Sequence, residues 1–231
     1  MGRAGAILAM SFLSQYLVSA LLYSFIPPAN GDYSASQIAF VWLVSILVGG
    51  LAMIGLSTHL LGRDLFERSN TAGAWVIGSP KQLLKGLVAG AALAVLVAAP
   101  VAIFFPPEEG KELLPLFRVA SASGFPTVVY LLISVILAPP LEELLFRGVV
   151  FGSISRSFGP VVSGISTTII FVAAHYSVIL WHQPVIISLT AVGFAVMLVR
   201  IWSRAVGPAV ALHMSYNGML LIQSYVFYQP S

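Results

Sequence analysis

The sequence predicts an all-α fold, a polytopic transmembrane bundle of about seven helical spans, six to eight being compatible with its pattern. Three observations predict it. Of 231 residues, 58% are hydrophobic and only 8% are charged, where a soluble domain carries roughly a quarter charged residues. The mean hydropathy is +0.97. Apolar stretches of about 20 residues, long enough to cross a hydrocarbon core of roughly 30 Å, recur along the chain and leave little room for a soluble domain.

Each span is bounded by Pro, Gly or charge. They fall at about 4–26, 36–61, 82–105, 126–153, 160–180, 184–202 and 207–228, with breakers at Pro27-Pro28, Gly62-Arg63, Pro106-Pro107, Gly159-Pro160, Gln183-Pro184 and Gly207-Pro208. The first span exceeds a signal-peptide core of roughly 7–15 residues and is expected to remain as an anchor. Residues 1–124 carry no signature, while 125–228 hold every candidate functional residue, and the two stretches read as a single membrane-embedded unit. The segment "KELLPLF" at 111–117 is a candidate interfacial helix beside the alternative of a plain connector.

Charge sets the expected orientation. Arg3, Arg63, Arg68, Lys81, Lys85, Arg156, Arg200 and Arg204 fall on one side if the spans alternate, and the acidic or neutral connections fall on the other. By the positive-inside rule the N-terminus is cytoplasmic and the C-terminus outside, in the plasma membrane of a prokaryote. Trp42, Trp181 and Trp202 lie near span ends, as interface anchors or as packing between helices. The formal charge of +3 reflects these dispersed loop residues, so nucleic acid is not an expected partner, whereas membrane lipid is. The absence of cysteine excludes disulfides, thiolate nucleophiles and Cys-type zinc sites.

Within the spans only a few polar groups capable of chemistry remain: Glu142, Glu143 and Arg147 in the fourth, His175 in the fifth, and His213 with Asn217 in the seventh. An ionisable group at membrane depth costs several kcal/mol and marks a functional site by default. Glu143 and Arg147 are four apart, so that pair alone can be a structural salt bridge. Glu142 points about 100° away from it. His213 and Asn217 share a face one turn apart. Pro139-Pro140 should interrupt the backbone ladder just before the glutamates, a non-helical stretch that is tolerated where it lines a wet cavity. His59 and His182 lie at span ends and receive no role.

Two carboxylates, two histidines and an amide can activate water, the glutamate as general base and a histidine orienting the same water. His213 and Asn217 can serve as donors to the oxyanion formed when water attacks an amide carbonyl. The same set, Glu142, Glu143, His175 and His213, offers zinc ligands, although the HExxH spacing of the usual zinc peptidases is missing. Chemistry alone divides between a hydrolase and a proton-coupled transporter.

"EELLFRG", "FVAAH" and "HMSYN" resemble, in order, the EExxxR, FxxxH and HxxxN motifs of the CAAX protease and bacteriocin-processing family of intramembrane endopeptidases, also called the Abi family. "APPLEELLFRG" is also similar to the family's APxxEExxFRG form. The resemblance covers about residues 125–225 and is similar to type II CAAX prenyl proteases. It implies an all-helical membrane peptidase acting on a membrane-associated protein, prenylated in some members and of bacteriocin type in others. It further implies that Glu142 and His175 activate water, that His213 and Asn217 form the oxyanion site, and that Glu143 and Arg147 position the centre. Phe171, one turn before His175, is expected to pack on the pocket wall. A glutamate mechanism without a cofactor is preferred over a zinc-dependent one, because too few well-spaced ligands can be drawn. A non-catalytic immunity or scaffold protein is the alternative from another class.

Overall fold

The computed structural model of the chain describes residues 2–28, 31–66, 75–106, 108, 119 and 122–227. The "KELLPLF" segment lies outside them. All regular elements among the described residues are helical. We number them α1 (Gly2–Phe25), α2 (Ala35–Leu61), α3 (Pro80–Phe104), α4 (125–158), α5 (160–174), α6 (Tyr176–Trp181), α7 (Val185–Ser203) and α8 (Gly207–Phe227). The integral-membrane, all-α architecture expected from composition is what the chain forms. Five stretches are long and apolar enough to cross a membrane: α1, Ala35–Phe66, α3, Phe125–Ala174 and α7. At about 1.5 Å per residue the fourth of these, a 50-residue stretch, is far longer than a bilayer core. It is two helices, parted at Gly159 (φ 76°, ψ 171°) and followed by Pro160, which has no N–H to continue the ladder. Helix α8 is not among the five stretches, and it carries His213, Asn217 and Gln223.

Two compact groups of residues make up the chain: 1–62 with 112–141, and 63–111 with 142–231. In the first, α1 and α2 run antiparallel, with Arg3 donating to the Leu60 carbonyl (3.0 Å) and the Ser19 and Ser45 hydroxyls paired at 2.8 Å. Trp42 packs against a cluster of Ile38, Ala39, Val119 and Val129.

In the second group, α3 and α8 approach at backbone distance. Ser79 caps α3 in a reciprocal pair with Gln82, and Pro80 occupies its first turn. A Cβ on Gly86 would sit 2.3 Å from the Pro208 carbonyl oxygen, and one on Gly90 would sit 2.1 Å from that of Leu212. Only hydrogen fits at either position, which is the small-xxx-small logic of helix pairs in membranes. Ser215 and Gln223 of α8 add hydrogen bonds to the carbonyls of Leu87 (2.8 Å) and Ala94 (3.2 Å) of α3. Thus α3, which has no motif residue, sets the position of the helix that carries His213.

Two expectations about backbone are corrected. The chain does not leave the helical path at Pro139-Pro140, because Ala138–Glu143 is α-helical. The carbonyls that the two proline rings would crowd, four residues earlier, belong to Val135 and Ile136, inside a widened π turn at Leu132–Leu137. The Ala138 amide reaches back to the Ile133 carbonyl there, so the helix absorbs the prolines by widening rather than by breaking. The fifth span, expected to run continuously over 160–180, is interrupted at His175 (φ −96°, ψ 20°).

Replacing Gly90 by Val places methyl groups against the Leu212 carbonyl. We expect a lower unfolding temperature in detergent, corresponding to a loss of about 1–3 kcal/mol or more for overpacking. A melting curve that matches the parent protein would contradict the tight α3–α8 contact.

Candidate functional site

The EELLFRG segment enters a second π turn, Leu144–Val150, immediately after Glu143. Such turns shift the register of a helix and leave its carbonyls poorly matched to its own amides. Three side chains from outside the segment donate to carbonyls in it or at its end: Trp75 Nε1 to Leu144 (3.1 Å), Arg200 Nε to Arg147 (3.0 Å) and Ser163 Oγ to Phe151 (2.6 Å).

Glu143 and Arg147 form the expected i,i+4 pair, with both side chains fully buried. The guanidinium faces the carboxylate side-on, Nη1 to Oε1 and Nε to Oε2 each at 3.4 Å. Its Nη2 donates to the Gly193 carbonyl (3.2 Å), which also accepts from the Thr168 hydroxyl (3.1 Å). Burying this charge is tolerable because ion-pair and hydrogen-bond partners surround it.

His213 joins the two glutamates. Its Nδ1 lies 3.0 Å from Glu143 Oε1, and its Nε2 lies 3.9 Å from Glu142 Oε2. An ionised carboxylate only accepts, so the Nδ1 position carries the proton and the ring is held with Nε2 toward Glu142. The side chain of Glu142 is 29% exposed, against 0% for Glu143.

His175 is fixed by the end of α5. In a continuing helix the Phe171 carbonyl would take the His175 amide; instead that amide turns to Val172 (3.0 Å) and the imidazole Nδ1 donates to Phe171 O at 2.8 Å. The carbonyl fixes the tautomer, leaving Nε2 of the neutral ring as an acceptor.

Phe171 is the common neighbour. Its ring centroid is 4.6 Å from that of His175 and 5.7 Å from that of His213, with Phe146 edge-on at 5.7 Å and the Arg147 guanidinium 4.8 Å above. The sequence places it on a wall; the fold places it between the two histidines and under the arginine. Asn217 is half-buried one turn beyond His213 on α8. Direct polar contacts therefore join Glu142, Glu143, Arg147 and His213, the phenyl ring adds His175, and helical spacing adds Asn217.

Among the described residues no three His, Asp or Glu side chains are grouped to hold a metal ion, and Glu143 is engaged by Arg147 and His213. The Nδ1 atoms of His175 and His213 are held by Phe171 O and Glu143, which leaves Nε2 as the remaining position on each ring.

Several residues that build this site carry no motif. Arg200, counted by sequence as a loop charge, is fully buried in the last turn of α7. Its spacing of seven from Gly193, two helical turns, is the signal that places both on one face. Trp75 precedes α3 in an extended segment and had no sequence signal.

The model of the family described as type II CAAX prenyl endopeptidase Rce1-like matches residues 124–219, the part of the chain that carries the three motifs. The resemblance to CAAX proteases read from those motifs is thereby borne out for that part. No curated protein and no solved structure matches the chain. The match and the apolar helices together support a peptidase built into a membrane.

Removing one partner of the buried pair should be costly. Arg147→Met is expected to destabilise by about 3–5 kcal/mol, the usual penalty for an orphaned buried charge. The double variant Glu143→Gln/Arg147→Met should recover part of that loss in denaturant unfolding. An additive double variant would show that the two side chains do not interact.

Proposed function

We propose that the protein is an intramembrane endopeptidase that hydrolyses a peptide bond of a membrane-associated protein with a glutamate-activated water. The observation that carries this reading is the approach of a partly exposed Glu142 to a histidine whose orientation is set by a second, buried glutamate. Glu142 takes a proton from water as the oxygen attacks the scissile carbonyl, and that proton later goes to the leaving amine. The Nε2 of His175, an acceptor, helps to orient the same water. Asn217 donates to the developing oxyanion, and His213 does so from Nε2 when its ring carries both protons, since Nδ1 is committed to Glu143. Glu143 and Arg147 position His213.

A metal-independent mechanism is part of this proposal, supported by the engagement of Glu143 with Arg147 and His213. The N-terminus is proposed to be cytoplasmic and the C-terminus outside, on the asymmetry of loop charges. The substrate class is proposed as a prenylated protein presented at the membrane, on the family match, or a bacteriocin-type one, on the motif resemblance.

The test uses quenched peptides with and without a prenyl group in mixed micelles. Glu142→Gln and His175→Ala should each lower kcat/KM by about 10²–10⁴-fold with folding retained, and Asn217→Ala by about 10²–10³-fold. Cleavage by a folded Glu142→Gln protein at the parent rate would overturn Glu142 as the base, and failure of the folded parent protein to cleave either peptide would leave the scaffold reading standing instead. Chelation should leave activity intact and elemental analysis should find no stoichiometric metal; loss on chelation with recovery on adding zinc would overturn the glutamate mechanism.

A further inference from the structure

We infer that Arg200 is a positioning residue for the Glu142–Glu143 pair, acting through the main chain of the π turn rather than through either carboxylate. The inference rests on the peptidase reading for its catalytic consequence, but its structural basis is independent of it.

The argument starts from the backbone of Leu144–Val150. In an α-helix the Phe151 amide would bond to the Arg147 carbonyl, four residues back. Here it reaches Gly148 and Phe146, three and five back, and passes over Arg147. A carbonyl skipped in an apolar interior needs another donor, since none is available from water or lipid. Arg200 Nε supplies it at 3.0 Å. Its guanidinium also stacks over the Phe151 ring, 4.6 Å from the centroid, so the same side chain holds the residue whose amide is displaced. A fully buried arginine at this position is explained by the wide turn it completes.

The turn has two states available to its sequence. With the extra residue accommodated, Glu143 and Arg147 lie as described. Without the Arg200 donor, the Phe151 amide can return to the Arg147 carbonyl and the turn can close to α, rotating the segment before it by about 100° relative to the segment after it. Arg147 also donates to Gly193, two turns before Arg200 on α7. One helix thus grips both the side chain and the carbonyl of the motif arginine, and through Glu143 that grip extends to His213.

The experiment compares Arg200→Met, which keeps bulk and loses every donor, with Arg200→Lys, which keeps a donor and the charge. Arg63→Met, at an exposed arginine, is the control. Hydrogen–deuterium exchange of the full-length protein in detergent reads the turn itself. Arg200→Met should speed exchange in peptides covering 144–152 by about tenfold or more and leave 80–93 unchanged, and Arg200→Lys should restore most of the protection. On the quenched prenylated peptide, Arg200→Met should lower kcat by tenfold or more with KM within threefold, and Arg200→Lys should recover most of kcat. Unchanged exchange over 144–152, a parent-like kcat in folded Arg200→Met, a loss confined to KM, or failure of both variants to fold would each overturn the inference. Glu142→Gln in the same assay separates the two proposals. If Glu142→Gln is inactive while folded Arg200→Met is fully active, only the positioning role fails; if exchange responds as expected but the folded parent protein cleaves nothing, only the peptidase reading fails.

Discussion

The bond between Glu143 and His213 is the contact on which the site depends. It joins residues 70 apart in sequence, and both of its ends are held elsewhere. Glu143 is kept in place by Arg147, Arg147 by Gly193 and by the packing of its guanidinium on Phe171. His213 is kept in place by α8, which cannot shift without moving off Gly86 and Gly90. A carboxylate that only accepts, facing an imidazole with two inequivalent nitrogens, decides which nitrogen is left for Glu142. The adjacent glutamates therefore have different surroundings: one is spent on building the site, and the other remains available to water.

The cost of that arrangement appears in the main chain. A helix in an apolar medium must satisfy its own backbone, yet the segment that follows the glutamates and carries Arg147 is wound as a π turn. Side-chain donors to carbonyls in and next to it come from positions that look unrelated in sequence, Trp75 ahead of α3, Ser163 in α5 and Arg200 at the end of α7. Polar side chains inside this chain are thus of two kinds. Some gather around the two glutamates, and others bond to the main chain. His175 belongs to both, since its ring caps the Phe171 carbonyl with one nitrogen and keeps the other free of that bond.

This division explains what the sequence made legible. The helical class and the approximate spans follow from apolar runs and breakers, and Gly159-Pro160 stops a helix as its φ and missing N–H require. Glu142, Glu143, Arg147, His175 and His213 stand out because charge is expensive among apolar neighbours, and the fold brings them together. The helical path through Pro139-Pro140 was not legible, because a proline signals a lost hydrogen bond but not whether the helix breaks or widens. The break at His175 was hidden for a related reason: nothing in "FVAAHYS" separates a histidine inside a span from one whose ring takes over a carbonyl. Arg200 was misread because a basic residue near a span end satisfies the charge rule wherever its side chain points. Gly86 and Gly90 are spaced to pack against another helix, a pattern independent of the motifs and silent about which helix it meets.

The buried network also bears on the choice between a catalyst and a scaffold. A scaffold that needed only a salt bridge in its interior would be complete with Glu143 and Arg147, which neutralise each other. Glu142 adds a second carboxylate beside the first, facing an imidazole nitrogen too distant for a direct hydrogen bond at 3.9 Å. Like charges placed together in a poorly solvated region are unfavourable, and no bond of that geometry repays the expense. The partly exposed Glu142, the acceptor nitrogen of His175 and the oriented ring of His213 make sense together if a small polar molecule passes among them. Water and a peptide carbonyl meet that requirement, and the peptidase reading is the one under which every member of the cluster has a task.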